Sequence, residues 1–273
     1  MFLAHVNDLK PGEWQVYPQL PDWTLCRLNN GEYQLASNRC PHMGARFKGC
    51  QGSNTRVCPY HGWTFNVDGT PKASGLTKGC ANTHPLDTRP VFIWNGFIFT
   101  DEHDLPPIEL ESDVVLESFR VDTVDASSEN IMNLFLDVEH IRLVHGRVYA
   151  HLDSDAITWI YGDNSSIQLV NDVEGQPASQ WFAVYRDEAM LEWQPGAWFI
   201  TQPHAQKGQV SVYRYKSRTS TPEQWQTNCT TWETSWGQDN ELVSQLADKF
   251  SSVYPLDPAR QHYQDWLKNQ TDK

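Results

Sequence analysis

The 273-residue chain reads as an α+β protein: an antiparallel β domain, then an antiparallel sheet covered by helices. Three observations lead there. Turn signals crowd the first hundred residues, an acidic, proline-containing stretch interrupts the pattern at residues 101–112, and strand-like and helix-like runs mix after it. With 39% apolar and 20% charged residues, the composition is that of a globular chain large enough for two cores.

In the first domain, residues 1–105, the turns NNGEY, GSNT, NVDGT and WNGF separate short β-rich runs such as TRVCPY, WTFNV and PVFIWNGFIFT. Residues 106–273 form the second domain, and its best helix spans residues 127–146. Ser127 or Asp125 can cap this helix, Glu129 suits its positive end and Gly146 can close it. Ile131, Leu134, Phe135, Val138 and Ile141 recur at helical spacing. The runs AITWIYG, SSIQLVNDV, SQWFAVYR, GAWFITQP, GQVSVYRYKSRT and NCTTWETSW then read as strands. A helix over residues 240–250 would bury Leu242, Val243, Leu246 and Phe250, and a shorter one is expected at 259–268.

The net charge of −13 and pI near 5.1 argue against nucleic acid or anionic membranes as partners, since both recruit basic patches. Asp8, Lys10 and Pro11 interrupt the N-terminus before a signal peptide's apolar run could form, and no stretch reaches transmembrane length. A cytoplasmic protein is expected. In a reducing compartment the six cysteines read as metal ligands or buried side chains; Cys26, Cys50, Cys80 and Cys229 take the second reading.

The stretch CPHMGARFKGCQGSNTRVCPYHGW sets Cys40-x-His42 fifteen residues ahead of Cys58-x-x-His61. Each pair has a proline beside it (Pro41, Pro59) that stiffens a loop, and a glycine after it (Gly44, Gly62) that permits a tight turn. Cys2His2 is a common zinc set, but zinc fingers put both cysteines in one segment and both histidines in the other. One of each per loop suits a two-iron cluster in which one iron takes both thiolates and the other both imidazoles. The string resembles the Rieske motif, in particular the ring-hydroxylating oxygenase version ending in CPYHGW. Respiratory-chain Rieske proteins carry an extra cysteine in each loop; Ala45 and Tyr60 stand there instead.

A Rieske ferredoxin needs only about the first hundred residues. NLFLDVEHIRLVH, residues 133–145, resembles the N-x-x-x-D-x-x-H-x(4)-H segment that carries mononuclear iron in Rieske non-haem oxygenases. Two histidines and a carboxylate make a facial triad that leaves open positions on Fe(II). Asn133, Asp137 and His140, at i, i+4 and i+7, share one helix face. His145 lies about 140° further round a regular helix, so His140 and His145 can meet one metal only if the helix breaks or bulges between them. An amphipathic helix with solvent-facing His and Asp is the plainer alternative.

The resemblance implies a terminal oxygenase, mono- or dioxygenase, that hydroxylates or oxidatively demethylates a small organic substrate, expected to be aromatic. It places the third iron ligand near the start of a C-terminal helix, where TSWGQDNELVSQLADKF offers Asp239, with Glu241 and Glu233 as substitutes and a simple N-cap role as the competing reading. It implies a ring-like trimer in which Asp137 links His42 or His61 of one subunit to His140 of the next. It also implies O2 and an external electron donor, an NAD(P)H-dependent flavin reductase with or without a ferredoxin. No G-x-G-x-x-G occurs, so nicotinamide and flavin belong to that donor. Met132 stands where the family commonly has an acidic residue, and the second domain is short for the family. A Rieske electron carrier whose second domain only binds or assembles is the other reading. Trp159, Trp181, Phe182, Trp193, Trp198 and Phe199 are candidates for pocket walls or core, and His151 and His204 read as structural.

Overall fold

The computed structural model describes residues 1–47, 54–73, 84–105, 107–153, 157–172, 174–186, 189–204, 208–246 and 258–271. Cys50, Cys80 and Phe250 lie outside them. The chain divides into one compact unit of Leu3–Glu102 and another of His103–Lys273 with Met1–Phe2.

In the first unit, β1 (Phe2–His5), β2 (Trp14–Val16), β3 (Trp23–Arg27), β4 (Tyr33–Ser37), β5 (Thr55–Val57), β6 (Thr64–Asn66), β7 (Pro71–Ala73), β8 (Thr88–Pro90), β9 (Phe92–Trp94) and β10 (Phe97–Phe99) form three small sheets. Their orders are β1-β10-β9, β2-β3-β4-β8 and β5-β6-β7. The β9–β10 hairpin turns on Asn95 and Gly96, both with positive φ (46° and 79°), which is the Asn-Gly chemistry of a tight two-residue turn. Trp14, Cys26, Phe47, Trp63 and Phe65 pack the core beneath the cysteine-bearing loops.

The second unit opens with β11 (Val114–Thr123), α1 (Ser128–Phe135) and α2 (Val138–Val144). A meander follows: β12 (Thr158–Tyr161), β13 (Ser165–Asn171), β14 (Pro177–Val184), β15 (Ala189–Gln194), β16 (Ala197–Pro203) and β17 (Gln209–Ser217). It closes with α3 (Pro222–Val243) and α4 (Pro258–Thr271). Seven strands make one antiparallel sheet, ordered β11-β17-β16-β15-β14-β13-β12. Cross-strand register puts Trp181, Glu192, Phe199 and Arg214 in one row on one face, with Met190 and Thr201 paired beside them. That face packs against the helices: Phe199 and Val212 meet Ile131, Trp232 and Trp236, while Trp181 and Met190 meet Leu136, Ile141 and Tyr263. β11 is an edge strand with a register shift between Leu116 and Ser118, and Leu116, Phe119 and Val121 are exposed on it.

The class is the α+β arrangement expected, but two helices differ from their expected form. Residues 127–146 give two helices rather than one: a break falls at Leu136–Asp137, and the second helix ends at Val144, so the chain leaves the helix between His140 and His145 as their convergence requires. Ser127 does cap the first, its side chain accepting from the Asn130 amide. The second difference is α3. NCTTWETSW lies inside it rather than in a strand, and residue 240, expected to start a helix, falls in its last turn. Thr230 and Thr234, whose β-branching suggested a strand, donate their hydroxyls to carbonyls one helical turn back, at Gln226 and Thr230. Trp225, Cys229, Trp232, Trp236 and Val243 recur at helical spacing and are the face α3 buries.

Candidate metal centres

The two cysteine-bearing loops share one backbone design. The Cys40 amide donates to Ala45 O (2.9 Å) and the Gly44 amide back to Cys40 O (2.8 Å). Cys58 repeats this with Trp63 O (2.7 Å) and Gly62 (2.9 Å). Both glycines have positive φ, 72° and 73°, which a side chain would strain. The histidine falls at the second loop position in one and the third in the other, yet the rings meet: His42 Nδ1 and His61 Nδ1 are 3.2 Å apart. Trp63 stacks on the His42 ring at 4.7 Å and 14°. Both thiols are buried, and neither is in a disulfide. Burial, with the Cys58 sulfur adding to it, pushes the Cys40 thiol up to about 11.

In the second unit, His140, His145 and Asp239 converge, their ligand atoms all within 4.8 Å of one another. Asp239 Oδ1 lies 2.7 Å from His145 Nε2 and 3.4 Å from His140 Nε2. His145 is the C-cap of α2, at φ −103° and ψ 6°, and leaving the helix is what turns its ring toward His140. Asp239 comes from the C-terminal part of α3, on the same face as Trp232 and Trp236, and is not an N-cap. His140 Nδ1 meets the Asp137 carbonyl and His145 Nδ1 meets Gln238 Oε1 at 2.9 Å. Both partners are acceptors, so each ring has a proton on Nδ1 and turns Nε2 toward Asp239, where His145 Nε2 donates to Oδ1 at 2.7 Å.

Burial alone would lower the His145 pKa, but the Asp239 carboxylate outweighs it and the net shift is upward. For Asp239, burial raises and the two histidines lower, with a net shift downward. A cavity of about 50 Å³ opens beside the three, walled by Tyr149, Trp181, Phe199, Trp232 and Trp236 and floored by Glu192.

Residues 1–84 match the family described as "Rieske [2Fe-2S] domain". The chain carries a Rieske domain. Among curated proteins it is similar to putrescine 2-hydroxylase of Ralstonia nicotianae, 26% identical over 156 residues, 54% of this chain and 42% of that one. It is also similar to the oxidoreductase NdmD of Pseudomonas putida, 30% identical over 132 residues, 43% of this chain and 20% of that one. These alignments therefore span less than half of either relative. The fold extends the likeness to the whole chain. The quaternary ammonium Rieske monooxygenase CntA in complex with L-carnitine matches 100% of it and 88% of that chain, at TM-score 0.73 and 16% identity. Naphthalene 1,2-dioxygenase with indole bound matches 99% and 85%, at TM-score 0.64 and 15% identity.

The donor sets fit the metals that a Rieske oxygenase fold implies. In the Rieske domain, thiol meets thiol and imidazole meets imidazole across the two loops, as two irons with unlike ligand pairs require and a single zinc does not. In the second unit, two imidazoles and one carboxylate with their ligand atoms within 4.8 Å of one another suit a divalent iron.

Other side chains fall outside the convergence. Asn133 is buried, its Oδ1 accepting from Gln264 at 3.1 Å, and does not line the cavity. The Asp137 carboxylate takes Arg260 at 3.2 Å, so the backbone carbonyl of Asp137, rather than its carboxylate, holds His140. Glu233 pairs with Arg120 and Arg214. Of the aromatic candidates, Trp181 and Phe199 wall the cavity, while Phe182 and Trp198 are buried and absent from its lining. His204 bonds Ser211 at 2.7 Å, a structural contact. Sequence reasoning missed Gln238 and Glu192; the signal for Glu192 was a lone acid in the otherwise apolar alternation of AMLEWQ.

Proposed function

We propose that the chain is a terminal Rieske oxygenase component that uses O2 and externally supplied electrons to hydroxylate or oxidatively demethylate a small organic substrate. The observation that carries this reading is the convergence of His140, His145 and Asp239 on the wall of a cavity. Cys40 and Cys58 would hold one iron of the cluster, His42 and His61 the other, and His140, His145 and Asp239 the mononuclear iron. When bound, the cluster supplies electrons singly and the mononuclear iron supplies the open coordination positions where O2 chemistry occurs.

The chain's own residues prepare that chemistry. The Asp137 carbonyl and Gln238 hold Nδ1 of the two histidines, which orients both rings and leaves Nε2 as the atom that would take the metal. Indole and phenol walls exclude water from the reacting face. An NAD(P)H-dependent flavin reductase, directly or through a ferredoxin, is proposed as the donor, and a homotrimer as the assembly. The substrates in the relatives' names run from an amine to an aromatic hydrocarbon, so their names support the reaction class rather than one substrate.

Metal analysis tests the proposal. Purified protein is expected to hold about three Fe and two acid-labile sulfides per chain and to be red-brown. The Asp239→Ala variant should keep the colour, lose one Fe and lose turnover. A wild-type protein holding two Fe per chain would mark a plain electron carrier instead.

A further inference from the structure

Arg56 is sealed inside the Rieske domain, with 1% of its surface exposed. It stands on β5, two residues ahead of Cys58. Val57 between them is 54% exposed, so Arg56 and Cys58 point to the same inner face. The ladder with β6 carries this alternation through Cys58: Arg56 pairs with Phe65, Val57 with Thr64, and the Cys58 amide donates to Trp63 O. The guanidinium stays in that layer. Its Nη2 meets Cys26 Sγ and Val67 O (3.3 Å), and its Cζ lies 5.1 Å from the centre of the Trp14 ring. Trp14, Cys26 and Val67 belong to the same core as Cys40 and Cys58.

Among the described residues, no acid pairs with this cation. Its Nε and Nη1 have no hydrogen-bond partner, and Nη2 meets only a thiol and a carbonyl. Asp68 reaches it through its field alone, being exposed and engaged with the Thr70 amide and hydroxyl. Burial pushes the Cys26 thiol up from its usual range, so it stays uncharged at neutral pH. Burial also lowers the Arg56 pKa, yet an arginine starts so high that it keeps its charge. A cation buried in this way costs stability, and the group in the same layer that gains from it is the cluster. Two ferric ions, two sulfides, two thiolates and two neutral imidazoles carry no net charge together, and one added electron makes the set singly negative. Two residues of strand span roughly 6.6 Å, which puts the guanidinium on the order of 10 Å from the irons. Across that interior distance the attraction for the added charge is only weakly screened.

We infer that Arg56 tunes the reduction potential of the cluster, raising it by holding an unpaired positive charge on the inner face beside Cys58. The electron goes to one ferric iron, and no bond to Arg56 forms or breaks. Arg56 acts through its field and not by ligation. The raised potential eases filling of the cluster by an external donor and weakens its push toward the next acceptor. This holds for an oxygenase and for a plain electron carrier alike.

A redox titration of the full-length holoprotein, followed by the visible absorbance of the cluster, tests the inference, with iron and sulfide measured on each sample. Arg56→Met keeps an apolar stem and removes the charge. It should move the reduction equilibrium about tenfold toward the oxidised form, a fall of about 59 mV for one electron. Arg56→Lys keeps the charge and should stay near the wild-type potential. Cys26→Asp sets an anion where Nη2 already makes contact and should lower the potential too, whereas Cys26→Ala should not. A wild-type potential in Arg56→Met overturns the inference. So does an equal fall in Arg56→Lys, which would mark a packing effect. If Arg56→Met holds no cluster, the Cys26 pair decides, and equal potentials in Cys26→Asp and Cys26→Ala refute the field effect.

Discussion

The chemistry rests on a few side chains whose neighbours fix a proton. His145 Nδ1 faces Gln238 and His140 Nδ1 faces a main-chain carbonyl, so both rings present the same nitrogen, Nε2, to Asp239. Asp137 contributes to this with its backbone, while its carboxylate meets Arg260. If the carboxylate's charge is what serves electron delivery, Asp137→Asn should retain both metals by metal analysis, because the carbonyl remains. Its turnover should fall by about 10–100-fold or more, and turnover at the wild-type rate would remove Asp137 from the electron path. At this scale the sequence was informative wherever residue type and spacing alone say which side chains will meet. Cys40, His42, Cys58 and His61 are such a case, and so is the His140/His145 pair. Gln238 was illegible, because its place depends on the facing of a helix, while Glu192 showed only as a lone acid whose place at the cavity is set by strand register.

Elements were legible in proportion to how far local propensity agreed with tertiary demand. The hairpin at Asn95–Gly96 follows from turn chemistry alone, and the 3.6-residue period marked the helical character of residues 127–146. The break at Leu136–Asp137 did not show, since the apolar period of Leu134, Phe135, Val138 and Ile141 runs straight across it. α3 misled for the opposite reason: its threonines and tryptophans favour strands, and only the packed stripe against Phe199 makes it a helix. Its start was nevertheless written in the sequence as Thr221-Pro222-Glu223-Gln224, a capping residue, a first-turn proline and an acid. The Thr221 side chain accepts from the Gln224 amide at 3.1 Å. Thr221→Ala should therefore cost about 1 kcal/mol in chemical denaturation. An unchanged midpoint would show that packing alone sets the helix start.

For the whole molecule, the resemblance expects electrons to pass from the cluster of one subunit to the iron of its neighbour in a trimer. Complementation tests this. Cys40→Ser, lacking the cluster, and His145→Ala, lacking the mononuclear iron, should each be inactive. Mixed assemblies from co-expression should recover part of the wild-type turnover, and none would be recovered if each chain worked alone. Assembly also gives the exposed edge of the seven-stranded sheet another meaning. β11 leaves Leu116, Phe119 and Val121 in the open, and among the described residues no further strand pairs with its outer edge, which is a template for adventitious pairing. Glu117, Arg120 and Asp122 interrupt that row with charge, and the register shift at Leu116–Ser118 spoils its flatness. The strand that ends the seven-stranded sheet thus carries, in its charges and its register shift, two features that oppose edge-to-edge growth into fibres.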